Sequence, residues 1–166
     1  MKGVALCPGS FDPITVGHAA LIRRVSALYD TVYVAVADNE AKQYDFSAEQ
    51  RLSLCRKTLS DLDNVQVIRC DGLLVDTFRR VGADVIVKGV RNAGDYEYER
   101  KMAEINRSLE PTAETVFLFA EQAMTEISSS ELKRRLKEGR DSSEWIPQQI
   151  KNEILNRYVD SKENET

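Results

Sequence analysis

Apolar and polar positions along this chain alternate between two periods. From Gly3 to Cys7 the residues are small and apolar, which predicts a short strand, and Pro8 to Pro13 carries turn residues. Between Gly17 and Tyr29 the period lengthens to that of a helix, with Leu21, Ile22, Val25 and Leu28 on one face. Thr31 to Ala37 returns to β-branched and aromatic residues, and a polar loop follows from Asp38 to Phe46. Ser47 with Gln50 three positions on has the spacing of a capping box and opens a helix through Leu59. Val65 to Cys70 predicts the third strand and Leu73 to Val81 a helix. The fourth strand, Ala83 to Lys88, is near-continuously apolar in Val85-Ile86-Val87, as a parallel strand covered on both faces requires. Asp95 to Leu109 is a long charged helix with Tyr98, Met102, Ile105 and Leu109 at spacings of three and four, and Thr115 to Phe119 is the fifth strand. Ser128 and Glu131 repeat the capping-box spacing ahead of Leu132 and Leu136. A last helix begins near Pro147, a residue that suits a first turn, and runs to Tyr158, with Trp145 as its anchor.

Strand and helix thus alternate five times, which predicts an α/β domain with a doubly wound, five-stranded parallel sheet. A ligand is expected beyond the carboxyl ends of the strands, where the strand order switches. Residues 1–159 form the domain, and 160–166 are a polar tail. A length of 166 residues, 42% of them hydrophobic, suits one domain with a core. Net charge is −4, from 27 acidic and 23 basic residues, which argues against broad binding to nucleic acid or to an anionic membrane. No apolar segment has signal or membrane length, so a cytoplasmic placement is expected. Cys7, Cys55 and Cys70 form no CxxC pair, which excludes a disulfide scaffold and a thiolate zinc cluster. His18 is the single histidine, so a site built on two or three histidines is impossible. With no GxSxG elbow either, acyl hydrolysis by a serine triad is disfavoured.

The candidate chemistry lies in the loops after the strands. Pro8-Gly9-Ser10-Phe11-Asp12-Pro13-Ile14-Thr15-Val16-Gly17-His18 follows strand one and offers turn amides, a hydroxyl and an imidazole near a helix start, where unpaired N–H groups favour phosphate. Asp12 either holds a magnesium-associated water or fixes the turn. After strand four come Lys88, Gly89, Val90 and Arg91, placing two cations beyond the strand around a glycine that permits close backbone approach. Lys42 lies in the loop after strand two. After strand five, Ile127-Ser128-Ser129-Ser130-Glu131 either cradles phosphate or caps a helix. Each signal has a bland reading, but all open on one rim of the presumed sheet and together indicate a nucleotide or polyphosphate pocket.

The run from Pro8 to His18 resembles the PGTFDPxTxGH signature of the bacterial phosphopantetheine adenylyltransferases, within the nucleotidylyltransferase superfamily marked by (T/H)xGH. Val87-Lys88-Gly89-Val90-Arg91, Asp95-Tyr96-Glu97-Tyr98-Glu99 and Ile127-Ser128-Ser129-Ser130 resemble later motifs of the same family in the same order. The resemblance implies a Rossmann-like nucleotidylyltransferase fold. It also implies transfer of the adenylyl group of ATP to 4'-phosphopantetheine with Mg2+, in a cytoplasmic homohexamer that coenzyme A inhibits by feedback. It implies that His18 stabilises the charge developing on the α-phosphate and that Ser10 binds the reacting phosphates. Lys42 and Lys88 would orient the acceptor phosphate, and the backbone of Leu74 would face the pantetheine arm. Phe11, Gly89, Val90, Arg91, Glu99, Met124, Thr125, Glu126, Ile127, Ser128, Ser129 and Ser130 would line the ATP site, while magnesium would be held by ATP phosphates and water and by no protein ligand. Ser10 stands where the family usually has threonine, Lys88 where arginine is common, and Thr125 where some relatives have an aromatic residue.

Overall fold

The computed structural model describes residues 3–38 and 42–163, with side chains through Tyr158. Strands β1 (Val4–Gly9), β2 (Thr31–Ala37), β3 (Val65–Cys70), β4 (Val85–Val90) and β5 (Glu114–Phe119) make one sheet in the order β3-β2-β1-β4-β5. Every pairing is parallel. Helices α1 (Val16–Leu28), α2 (Ala48–Thr58), α3 (Leu74–Val81) and α4 (Ala93–Leu109) connect successive strands, and α5 (Ser129–Lys137) and α6 (Lys151–Glu163) follow.

The two faces of the sheet separate by the two-residue period of each strand. Ala5 and Cys7, Val32, Val34 and Val36, and Val87 share a core with residues of α1, α2, α5 and α6. Leu6, Ala35 and Ile86 face the other way and pack with Phe78 of α3. Trp145 joins the first core beside Ile146, Ile150 and Ile154, so it anchors the last helix as expected.

The chain returns from β3 to pair β4 with β1, so the strand order reverses between these two. There β1 and β4 pair only at Ala5↔Val85 and Leu6↔Ile86. Beyond Leu6 and Ile86 the ladder stops, and Pro8 has no N–H to extend one. A crevice therefore opens at the switch point, between the carboxyl ends of the central strands.

Four expectations need correcting. β4 extends to Val90 because its pairing with β5 continues through Val90↔Phe119; Gly89 does not end it, and Lys88 lies inside the strand, with only Arg91 beyond it. Leu28 is exposed, and Tyr29 packs against the core in its place as the chain turns into β2. On α4 the apolar stripe is not buried: Tyr98, Ile105 and Leu109 are exposed, and the helix's buried residue is Asn106. The sheet-facing side of α4 borders a cavity instead of a closed core. The last helix also runs past Tyr158 to Glu163, after a 3₁₀ turn capped by Pro147, and residues 164–166 of the predicted tail lie outside the described residues.

Candidate active site

The crevice holds two cavities that share Pro8, Gly9, Ser10, Lys42, Lys88, Tyr98 and Glu99 as lining. One, of about 360 Å³, is bounded by α1, the end of β4 and the loop before α5. The other, of about 700 Å³, runs between β3, the start of α3 and the inner side of α4. Both volumes lie in the range of small-molecule sites, and they meet at a hydroxyl and two ammonium groups.

His18 is fixed by the helix start itself. Thr15 caps α1 and accepts a hydrogen bond from the His18 N–H, while His18 Nδ1 accepts one from the Thr15 N–H at 3.1 Å. This is a capping box with histidine in the place of glutamate or glutamine. The ring also meets Phe11 edge-on, with centroids 5.2 Å apart. Phe11 is held at φ 47°, in the left-handed region, and a side chain on Gly9 would fall 2.9 Å from its ring. Gly9 is therefore required for the close approach that backs the imidazole.

Burial, with Arg91 and then Lys88 nearby, lowers the His18 pKa from 6.5 to about 4. The ring is neutral at pH 7, and because Nδ1 accepts, its proton sits on Nε2, a donor at the cavity wall. The single imidazole resonance of this chain is expected to titrate near pH 4 in the ligand-free protein, as followed by NMR. A folded pKa below the unfolded value means that the unfolded state takes up the proton first, so the contribution to stability present above pH 6.5 is lost as pH falls towards about 4. Replacing His18 should remove that part of the acid slope; a midpoint near 6.5 would contradict the environment described.

Arg91 extends from β4 and is gripped from behind by Asp95, which takes Nε at 2.7 Å, Nη2 at 3.1 Å and the Arg91 N–H at 3.2 Å. The guanidinium's hydrogen bonds hold the Asp95 carboxyl below its ordinary pKa. Lys88 pairs with Glu99 at 2.9 Å. Cys7, on the floor, is a thiol pushed up to about 12 by burial, with Lys88 opposing, so it supplies no nucleophile near neutrality.

The structure brings Ser10, Phe11, His18, Lys42, Lys88, Gly89, Arg91, Glu99, Met124, Ile127 and Ser128 to the smaller cavity, and Leu74 to the larger. Thr125, Glu126, Ser129 and Ser130 do not line either, and Val90 is buried. Gly89 meets Leu21, whose Cδ2 would lie 2.9 Å from an added side chain. Ser128 accepts from the Glu131 N–H, but Glu131 turns to Arg134 and Arg135, so only half of that capping box forms. Ser129 donates to the Pro13 carbonyl at 2.8 Å and ties α5 to the loop after β1. Asp12 is 3% exposed and receives the Asp45 N–H, the Phe46 N–H and the Lys133 ammonium. Of its two readings the structure supports the one that fixes the turn.

Sequence reasoning missed Thr15, although its spacing to His18 is that of a capping box. It also missed Asn106, which lines the larger cavity from α4 beside Met102 of the apolar stripe.

A family model described as cytidylyltransferase-like matches residues 6–135. The phosphopantetheine adenylyltransferase of Limosilactobacillus reuteri is 44% identical over 160 residues, covering 96% of this chain and 92% of that one. The phosphopantetheine adenylyltransferase of Methylococcus capsulatus is 40% identical over 161 residues, covering 97% and 99%. In fold, the chain is similar to a putative nicotinate-nucleotide adenylyltransferase from Vibrio parahaemolyticus, with a TM-score of 0.69 and 21% identity over 95% of this chain and 96% of that one.

Proposed function

This chain belongs to the cytidylyltransferase-like family and, within it, to the phosphopantetheine adenylyltransferases, and from that premise we infer that it transfers the adenylyl group of ATP to 4'-phosphopantetheine, giving 3'-dephospho-coenzyme A and pyrophosphate. The observation that carries the reading at the level of the site is the meeting of two cavities at Ser10, Lys42 and Lys88. A nucleotide in the smaller cavity and the pantetheine arm in the larger would bring their phosphates together at that junction.

In the proposed mechanism an oxygen of the acceptor phosphate attacks the α-phosphorus, the bond to the bridging oxygen breaks, and pyrophosphate leaves. Lys42 and Lys88 hold the acceptor phosphate, Leu74 faces its arm, and Ser10 hydrogen-bonds the reacting phosphates. The His18 Nε2–H donates to the oxygen on which charge accumulates, and Arg91, fixed by Asp95, receives the departing phosphates. Phe11, Gly89, Glu99, Met124, Ile127 and Ser128, which line the smaller cavity, surround the nucleotide. Such catalysis rests on positioning and on fixed donors, with no covalent intermediate.

The nearby carboxylates of Asp95 and Glu99 are committed to Arg91 and Lys88, and no group of three metal-binding side chains occurs among the described residues. This donor set suits a magnesium ion carried by the phosphates of ATP, where it would neutralise their charge. We further propose feedback binding of coenzyme A, whose adenylyl and pantetheine parts would span both cavities, and a homohexamer, for which the exposed Ile105, Leu109 and Phe119 offer apolar contact. A cytoplasmic site follows from the substrates of the reaction; no helix among the described residues is long and apolar enough to cross a membrane.

The test is magnesium-dependent pyrophosphate release from ATP and 4'-phosphopantetheine, with dephospho-coenzyme A identified by mass. Product is expected, with inhibition when coenzyme A is added at low acceptor concentration. Its absence from a folded, ATP-binding protein, with product from another acceptor such as nicotinamide mononucleotide or glycerol 3-phosphate, would reassign the substrate. Failure across an acceptor panel would indicate a nucleotide sensor.

A further inference from the structure

The turn carrying Ser10 and the loop carrying Lys42 are joined by one buried cation that the mechanism above does not use. Arg51, in the first turns of α2, is 1% exposed. Its Nη1 donates to the carbonyl oxygens of Ser10 at 2.8 Å and Ala37 at 3.1 Å, and its Nε to that of Phe46 at 3.2 Å. Its Nη2 donates to the Asp38 carboxylate, and the guanidinium carbon lies 4.1 Å from the centre of the Tyr44 ring. Ala37 and Asp38 leave β2 and Phe46 precedes α2, so one side chain holds both ends of the segment in which Lys42 lies. The same fork reaches the backbone of Ser10.

We propose that Arg51 is a positioning residue that sets the separation of Ser10 and Lys42, and through it the seat of the acceptor's phosphate; this rests on the reading of Lys42 given above. Packing alone would be served by an apolar side chain without the cost of burying a charge. Four acceptors, reached from three nitrogens of one rigid plane, call for a guanidinium, and lysine cannot reproduce the fork. Arg51 itself lines neither cavity, but Ser10, Ala37, Asp38 and Tyr44, which it touches, line the larger one. Its effect must therefore pass through the two elements that it ties.

The experiment measures KM for each substrate in Arg51→Lys, Lys42→Ala and the double variant. Lys42→Ala should raise the acceptor KM by about tenfold or more and leave the ATP KM within about twofold, the sign of lost acceptor binding. Arg51→Lys should show the same selectivity at roughly fivefold, and the double variant should be no worse than Lys42→Ala, because residues that act through one contact are not additive. Equal rises in both KM values, no rise in either, or a multiplied effect in the double variant would overturn the proposal. An unchanged acceptor KM in Lys42→Ala would remove the reading of Lys42 together with it, whereas a Lys42 effect without an Arg51 effect removes the positioning role alone. If Arg51→Lys does not fold, Asp38→Asn replaces it, since it keeps the three carbonyl contacts and removes the charge partner. A selective acceptor KM increase of about threefold is then expected, and an unchanged value overturns the proposal.

Discussion

His18→Ala is expected to lower kcat by roughly 10²–10³-fold, the usual loss when a fixed donor to a developing oxyanion is removed. The imidazole is neutral, and the hydrogen bond that it accepts at Nδ1 places its proton on Nε2. It therefore acts as a hydrogen-bond donor, and a base or nucleophile role is not required. The alanine variant also loses half of the capping box, which costs about 1 kcal/mol of stability in a typical helix. His18→Gln separates the two effects, because glutamine at this position completes the box in the ordinary way. Its melting temperature should return close to that of the wild type, while its rate recovers only as far as an amide N–H can stand in for the imidazole. A kcat within tenfold of wild type in a folded His18→Ala protein would remove His18 from the reaction.

The architecture was legible because strand and helix periods are strong signals. The limits of β2 and β3 and the Ser47–Gln50 capping box are found as predicted, down to both of its hydrogen bonds. Lys88 was displaced by a glycine that looks like a strand end. Ladder pairing to β5 overrides that local preference, and pairing partners distant in sequence are invisible to periodicity. The stripe on α4 was visible as a pattern, but a pattern records only that a face is apolar and not what covers it.

The rim of the site was legible for a different reason. Ser10, His18, Lys42, Lys88 and Arg91 carry chemistry in their side-chain types and lie on strands or in the segments that follow them, so a parallel sheet directs them to one rim. What holds them there was not legible. Nothing in the local sequence singles out Arg51 or Lys133, and Asp12 reads as either of two things. Their partners are backbone groups or carboxylates far along the chain: Ser10 for Arg51, and Asp12 for Lys133. Spacing rules reach one helical turn or one hairpin, whereas these contacts exist only once the loops after β1 and β2 have met α2 and α5.

Asp12 gives the second large effect, on stability. Its carboxylate is buried and receives two backbone N–H groups and the ammonium of Lys133 at 2.5 Å, with Asp45 the other carboxylate near that ammonium at 3.6 Å. Asp12→Asn leaves a largely buried cation facing an amide, and one amide oxygen in place of two carboxylate oxygens. Breaking a buried pair from one side costs about 3–5 kcal/mol when both groups are fully buried, and here, with Lys133 partly accessible, about 2–4 kcal/mol is expected. For a domain of this size that corresponds to a fall in Tm of roughly 5–15 °C. Asp12→Asn combined with Lys133→Met should recover at least half of the loss, because the stranded charge, more than the missing attraction, carries the penalty. The alternative role for Asp12, holding a magnesium-associated water, predicts the opposite pattern in the same variants: Tm unchanged, kcat reduced, and no recovery in the double variant. Thermal melts of the three proteins in EDTA, beside their kcat at saturating magnesium, distinguish the two, and a stable but slow Asp12→Asn enzyme would overturn the structural assignment made here.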